Sequence, residues 1–148
     1  MKFRFPIVII DEDYRSENTS GLGIRALAQA IESEGFEVLG VTTYGDLSQF
    51  AQQQSRASAF ILSIDDEEFT PGPDVDPVVL NLRGFIEEVR WKNADVPIYV
   101  YGETKTSRHL PNDILRELHG FIHMFEDTPE FVARHIIREA KSYLESVQ

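Results

Sequence analysis

Val8–Ile31 reads VIIDEDYRSENTSGLGIRALAQAI, and three chemistries compete for it. The apolar run ending in Asp11, Glu12 and Asp13 has the form of a strand feeding an acidic pocket for a hard cation. Ser16, Asn18, Thr19 and Ser20 carry the small hydroxyl and amide groups that cradle a phosphate before a helix N-terminus. Gly21-Leu22-Gly23-Ile24-Arg25-Ala26 matches the letters of the dinucleotide fingerprint G-x-G-x-x-A. Beyond these, Ile24, Leu27, Ala28 and Ile31 recur at i, i+3, i+4 and i+7, and Gly35 stands where a helix would stop. The stretch is a strand, an acidic loop and a capped helix.

The same strand–helix unit repeats along the chain. Strands are expected at Phe5–Ile10, Phe36–Val41, Ala59–Ile64, Pro97–Tyr101 and Phe121–Phe125, several of them nearly continuous apolar runs. Asp46 precedes a short helix through Leu47, Phe50 and Ala51. Asp76-Pro77 is a cap followed by proline at the first helical position, with Val78, Leu82, Phe85, Ile86 and Val89 forming a stripe. A further helix is expected over Asn112–Leu118. Thr128-Pro129 opens the last helix, which turns Val132, Ile136, Ala140, Tyr143 and Val147 inward. Five alternating βα units predict one α/β domain over residues 1–148. Its fold class is a three-layer, doubly wound, parallel five-stranded sheet of flavodoxin or receiver type, with strand order 2-1-3-4-5.

Composition narrows the function. The 148 residues carry no cysteine, which removes disulfides and thiolate metal sites. The start MKFRFPIVII is interrupted by Pro6 and ends in acids, so it reads as a first strand and not a signal peptide. No apolar segment approaches the roughly 20 residues that span a bilayer, and a cytoplasmic location is expected. The net charge of −11 opposes nucleic-acid phosphates and anionic membranes, and the ten Arg and four Lys are scattered without a basic stripe. Neither nucleic acid nor membrane is expected as a partner.

In a doubly wound sheet, ligands bind at the carboxyl ends of the strands. That edge is expected to collect Asp11, Glu12 and Asp13 from the first loop and Asp65, Asp66, Glu67 and Glu68 from the third. Glu103, Glu126 and Asp127 join them. A phosphorylatable receiver would add a hydroxyl ending the fourth strand and a lysine ending the fifth. Here the fourth ends Tyr101-Gly102, and no lysine lies between Lys105 and Lys141. A phosphate loop would be opposed by the three carboxylates before it. In a dinucleotide site the first glycine follows the strand immediately, whereas Gly21 lies eleven residues past Ile10. His109, His119, His123 and His135 show no paired-ligand spacing, and no serine sits in G-x-S-x-G. His119 and His123 flank the fifth strand, the place of hydrogen-bonded structural histidines. No catalytic, cofactor-binding or metal residue is assigned. A stand-alone pseudo-receiver binding Mg²⁺ or a partner protein at the acidic edge is one reading left open, and an FMN-binding electron carrier is another.

The strings FRFPIVIIDEDYRSENTSGLGIRALAQAIESEGFEVLGVTTYGDL, ASAFILSIDDEE, NADVPIYVYGE and HGFIHMFEDTPEFVARHIIREAKSYLESV resemble the N-terminal wing domain of the bacterial inducible ornithine/lysine/arginine decarboxylases, most closely the arginine branch. The resemblance implies a flavodoxin-like wing without chemistry of its own. It also implies a cytoplasmic, pyridoxal-phosphate-dependent parent enzyme that consumes a proton on decarboxylating a basic amino acid, so serving acid resistance and polyamine formation. The wing joins catalytic dimers into larger homo-oligomers, typically decamers. The family's cofactor lysine lies in Ser-x-His-Lys, and this chain contains no His-Lys pair. The chain is therefore expected to be one domain of that enzyme, ending at a linker near Ser146-Val147-Gln148. Its candidate pH-sensing and assembly surface is Asp11, Glu12, Asp13, Asp65, Asp66, Glu67 and Glu68.

Overall fold

The structure, a computed structural model, describes residues 5–11, 13–42, 57–63, 77–92, 95–102, 111–123 and 127–146. The elements are β1 (Ile7–Ile10), α1 (Thr19–Ser33), β2 (Val38–Val41), β3 (Ala59–Ser63), α2 (Pro77–Lys92), β4 (Ile98–Gly102), α3 (Asn112–Leu115), β5 (Gly120–His123) and α4 (Pro129–Ser146). All strand pairings are parallel and the order is β2-β1-β3-β4-β5, as the alternation predicts. Ile7 pairs with both Val38 and Ala59, which puts the first strand inside the sheet. The expected helix at Leu47–Ala51, its Asp46 cap, Asp76 and Val147 lie outside the described residues.

Burial follows position in the sheet. All four residues of β1 and all five of β4 are buried, whereas the edge strand β2 is half-buried throughout. This is why the inner strands read as unbroken apolar runs. The helices close the core with the predicted stripes: Ile24, Leu27, Ala28 and Ile31 on α1, Leu82, Phe85, Ile86 and Val89 on α2, and Val132, Ile136, Ala140 and Tyr143 on α4. Phe60 and Phe85 meet edge to face at 5.2 Å. α1 packs against α4 and α2 against α3, as right-handed crossovers on this strand order require.

Several strand ends differ from expectation for reasons of hydrogen bonding. Pro6 and Pro97 lack the N–H that a ladder needs, so β1 begins at Ile7 and β4 at Ile98. Pro6 contributes its carbonyl instead, accepting from Ser58 N at 2.8 Å. After α1, Gly35 adopts φ 97°, a left-handed conformation suited to glycine, and the chain turns before β2 starts at Val38. Phe36, expected in that strand, is instead a buried anchor ahead of it. α3 ends at Leu115, short of the expected Leu118, because Glu117 N and Leu118 N bond three residues back in tight turns.

The lower edge of the sheet is held by Arg90 of α2. Its Nε donates to Glu117 Oε2 at 2.8 Å, Nη1 to Val96 O at 2.8 Å and Nη2 to Glu117 O at 2.8 Å. Beside it, His119 N donates to Ile98 O at 2.7 Å and His119 Nδ1 accepts from Ile98 N at 3.4 Å. The residue is exposed overall, yet the ring is partly desolvated where it meets the strand. Burial first, and the Arg90 charge second, hold the His119 pKa below its ordinary 6.5. A histidine with a depressed folded pKa contributes stability above its unfolded pKa and loses it as pH falls. The urea midpoint should therefore decline on acidification below about pH 6.5, and His119→Gln should flatten part of that decline. An unchanged slope in the variant would remove His119 as its source.

Candidate functional site

The carboxyl edge of the sheet is built around the loop from β1 to α1. Asp11 continues the ladder with its N–H on Val41 O at 3.0 Å, then ends it by accepting Asp13 N on Oδ1 at 2.8 Å. This side-chain turn is a property of aspartate at a strand end. Tyr14 N bonds to Asp11 O and Ser16 N to Asp13 O, and Asn18 caps α1 by accepting Gly21 N on Oδ1 at 2.8 Å. Arg25, one turn further along α1, reaches back to donate Nη1 to Tyr14 O at 2.6 Å and to Ser16 O at 2.8 Å. Its guanidinium also lies 3.8 Å from Glu17.

This geometry bears on two of the three chemistries, the phosphate cradle and the dinucleotide turn. The N–H groups of Asp13, Tyr14, Ser16, Asn18 and Gly21 all bond within the loop and cap, and so are turned away from any phosphate. Ser16 Oγ is likewise engaged, accepting from Asn18 N at 3.3 Å. Gly21 and Gly23 lie inside α1, not at a strand-to-helix turn, so the dinucleotide letters have no structural counterpart. A Cβ on Gly21 would stand 2.1 Å from Ser16 O and 2.5 Å from Asp13 O, so this glycine serves the close approach of helix and loop. Gly40 of β2 does the same for the Tyr14 ring.

Asp11 itself is only 3% exposed, so its carboxylate belongs to the interior of the edge and not to an outer surface. Asp13 is half-buried and accepts from Asn18 Nδ2 at 3.3 Å. Asp127 is turned onto β5, accepting His123 N at 2.8 Å. Glu12, Asp65, Asp66, Glu67, Glu68, Glu103 and Glu126 lie outside the described residues. Among the described residues no three acidic or histidine side chains converge as a metal site. The lysine whose side chain is described, Lys141, sits about three turns along α4 from this edge.

The residue that sequence reasoning missed is Tyr101. Its side chain runs from the end of β4 to α1, where a Cβ on Gly23 would lie 3.1 Å from the phenol oxygen. The phenol is buried, and burial together with the nearby Asp11 charge raises its pKa to about 12. A buried, neutral phenol thus packs between the end of β4 and α1. The only local signal was the bulk of Tyr101 and the presence of glycine inside a helix pattern.

The chain is similar to proteins of known family and structure. The family model described as Orn/Lys/Arg decarboxylase, N-terminal domain, matches residues 19–143. Lysine decarboxylase LdcA of Pseudomonas aeruginosa is 26% identical over 144 residues, which are 95% of this chain and 18% of that protein. The chain thus spans less than a fifth of the length of this curated relative. The solved structure of lysine decarboxylase A from Pseudomonas aeruginosa superposes with a TM-score of 0.81 at 23% identity, over 97% of this chain and 19% of that one. The constitutive lysine decarboxylase of E. coli gives 0.65 at 15% identity, over 97% and 18%. A CheY-like receiver domain from Methanospirillum hungatei gives 0.64 at 14% identity, over 97% and 99%, so the fold is shared with receivers whole.

Proposed function

Since the chain belongs to the Orn/Lys/Arg decarboxylase N-terminal domain family, we propose that residues 1–148 form the wing domain of a pyridoxal-phosphate-dependent basic-amino-acid decarboxylase. The domain is non-catalytic and assembles catalytic dimers toward a decamer. The observation that carries this reading is the family match over residues 19–143; among the described residues, the first loop of the carboxyl edge is bonded within itself beside buried Asp11 and Tyr101, which suits a domain without chemistry of its own. The parent enzyme is a cytoplasmic carboxy-lyase serving acid resistance and polyamine formation. Its substrate is a basic amino acid: the sequence resembles the arginine branch, and the relatives named above are lysine decarboxylases.

Charge links assembly to acidity. Protonating all four histidines reduces the net charge from −11 to −7, and the carboxylates neutralise further toward their reference range near pH 4. Repulsion between wings then falls, with Glu12, Asp13 and the Asp65–Glu68 cluster as the sensing surface. Sedimentation velocity on the intact protein should show larger assemblies near pH 5 than near pH 8. Deleting residues 1–148 should leave decarboxylating dimers. Decamers that persist without this domain, or assembly unchanged across that range, would overturn the reading.

A further inference from the structure

Tyr99, in β4, is 1% exposed, and its hydroxyl is buried without a hydrogen-bond partner among the described residues. Its ring passes across the edge strand, where a Cβ on Gly120 would stand 3.2 Å from Cδ1. Burial, with the Glu139 charge behind it, pushes the phenol well above its ordinary pKa, so it stays neutral. A buried hydroxyl left unpaired is destabilising, and a tyrosine held there in place of phenylalanine needs a reason.

Two imidazoles flank the ring. His119 lies 6.3 Å away between centroids, and His135 of α4 lies 6.0 Å away and nearly perpendicular, at 80°. Each uses Nδ1 as an acceptor, His119 from Ile98 N at 3.4 Å and His135 from Arg138 Nη2 at 3.3 Å. A guanidinium can only donate, so His135 in this arrangement is neutral, with its proton on Nε2. The two rings differ in what a further proton would meet. At His119 it would displace a backbone amide of the sheet, beside Arg90 of α2 and partly out of water, with Asp95 and Glu139 opposing that penalty. At His135, exposed on the second turn of α4, it would displace only Arg138, which is itself exposed. Glu139, on the next turn, faces both Tyr99 and His119 with a negative charge.

We propose that His135 is a proton-driven latch: neutral, it accepts from Arg138; protonated, it releases Arg138 and donates an N–H to the buried oxygen of Tyr99. An imidazolium has two donors and no acceptor, so it cannot keep the Arg138 bond, and the guanidinium 3.3 Å away repels it. The Tyr99 ring favours a cation beside it, and the phenol oxygen is an acceptor that no other donor among the described residues occupies. Glu139, four residues along the same helix, supports the added charge. Solvent gives one proton to Nδ1, and nothing else is gained or lost. The latch fastens α4 to β4 as pH falls, because a group that gains a partner on protonation in the fold adds stability in acid. Its sign is opposite to the loss at His119. The switch is internal to the domain and holds whether or not wings assemble.

The test is urea unfolding of the 148-residue chain at pH 8 and at pH 5. At pH 8, Tyr99→Phe should leave the midpoint unchanged or raise it, since it removes an unpaired hydroxyl. At pH 5 the same change should raise the ratio of unfolded to folded protein about fivefold, the loss of one hydrogen bond. His135→Phe keeps a ring on Tyr99 but takes no proton, and in that background Tyr99→Phe should have one effect at both pH values. Should a variant fold poorly, the wild type answers by NMR: the Tyr99 Cζ resonance should titrate together with His135, and should still do so in His119→Gln. A Tyr99→Phe cost that is equal at both pH values would mean that the hydroxyl has a standing partner. An acid-specific cost that survives His135→Phe would place its source elsewhere. Either result overturns the latch, as would a Cζ resonance that does not follow His135.

Discussion

Replacing Gly21 with alanine is expected to destabilise the protein by about 3 kcal/mol, at the upper end of the usual cost of overpacking. The added Cβ would stand 2.1 Å from Ser16 O and 2.5 Å from Asp13 O. Both are backbone atoms, and both are already fixed: Asp13 O accepts Ser16 N, and Ser16 O accepts Arg25 Nη1. Relief therefore requires the loop to leave α1, which breaks the Asn18 cap and the Arg25 bonds together. Gly84 provides the control. It lies in α2, is exposed, and has nothing within 4 Å of an added Cβ, so alanine there should stabilise by about 0.5–1 kcal/mol through helix propensity. Urea unfolding of the two variants should move the midpoint in opposite directions. A Gly21→Ala protein as stable as wild type would mean that loop and helix do not approach as described.

The second large effect is expected at Arg90. Arg90→Met keeps the aliphatic stem but removes three hydrogen bonds that join α2, the approach to β4 and the turn before β5. Glu117 is partly exposed and can rehydrate its carboxylate, whereas the Val96 and Glu117 carbonyls lose a charged donor. A loss of about 2–3 kcal/mol follows. Arg83→Met, which breaks the bidentate pair with Asp113 on the open surface, should move the urea midpoint far less than Arg90→Met does, because solvent screens that pair. The Arg90 variant has a second readout. Its guanidinium helps to lower the His119 pKa, so an NMR titration of His119 should move upward when Arg90 is removed. Equal costs for the two arginine variants would show that burial does not separate these pairs.

The strands and every described helix of three or more turns were legible because their causes are local, and the strand order was legible through the alternation of the two. The apolar runs of β1, β3 and β4 and the stripes of α1, α2 and α4 express burial through periodicity alone. The candidate site was legible only in part. The expected helix cap at the end of the first loop is there, made by Asn18. Whether the carboxylate of Asp11 points outward or into the edge depends on the backbone turn that Asp13 N makes onto it, and composition does not encode that turn. The reach of Tyr101 to Gly23 joins residues far apart in sequence and leaves no local periodic trace. The same holds for Arg25, whose cation stabilises carbonyls of a loop that reads as predominantly acidic. No helix of the structure, among the described residues, is long and apolar enough to cross a membrane.

The inner position of β1 carries a consequence for the order in which the protein is made. A chain emerging from the ribosome delivers β1, α1 and β2 first, and these can pair on one side of β1. The other side of β1 waits for β3, whose partner for Ile7 is Ala59, roughly fifty residues later. Until then a fully apolar strand presents an open edge, the feature most prone to pairing with another nascent chain. The β5 edge, completed last, has its terminal amide already occupied by Asp127. The vulnerable interval in the biogenesis of this fold therefore falls early, between synthesis of the second strand and synthesis of the third. Substitutions that slow β3 docking would be felt as loss of yield before any loss of stability in the finished protein.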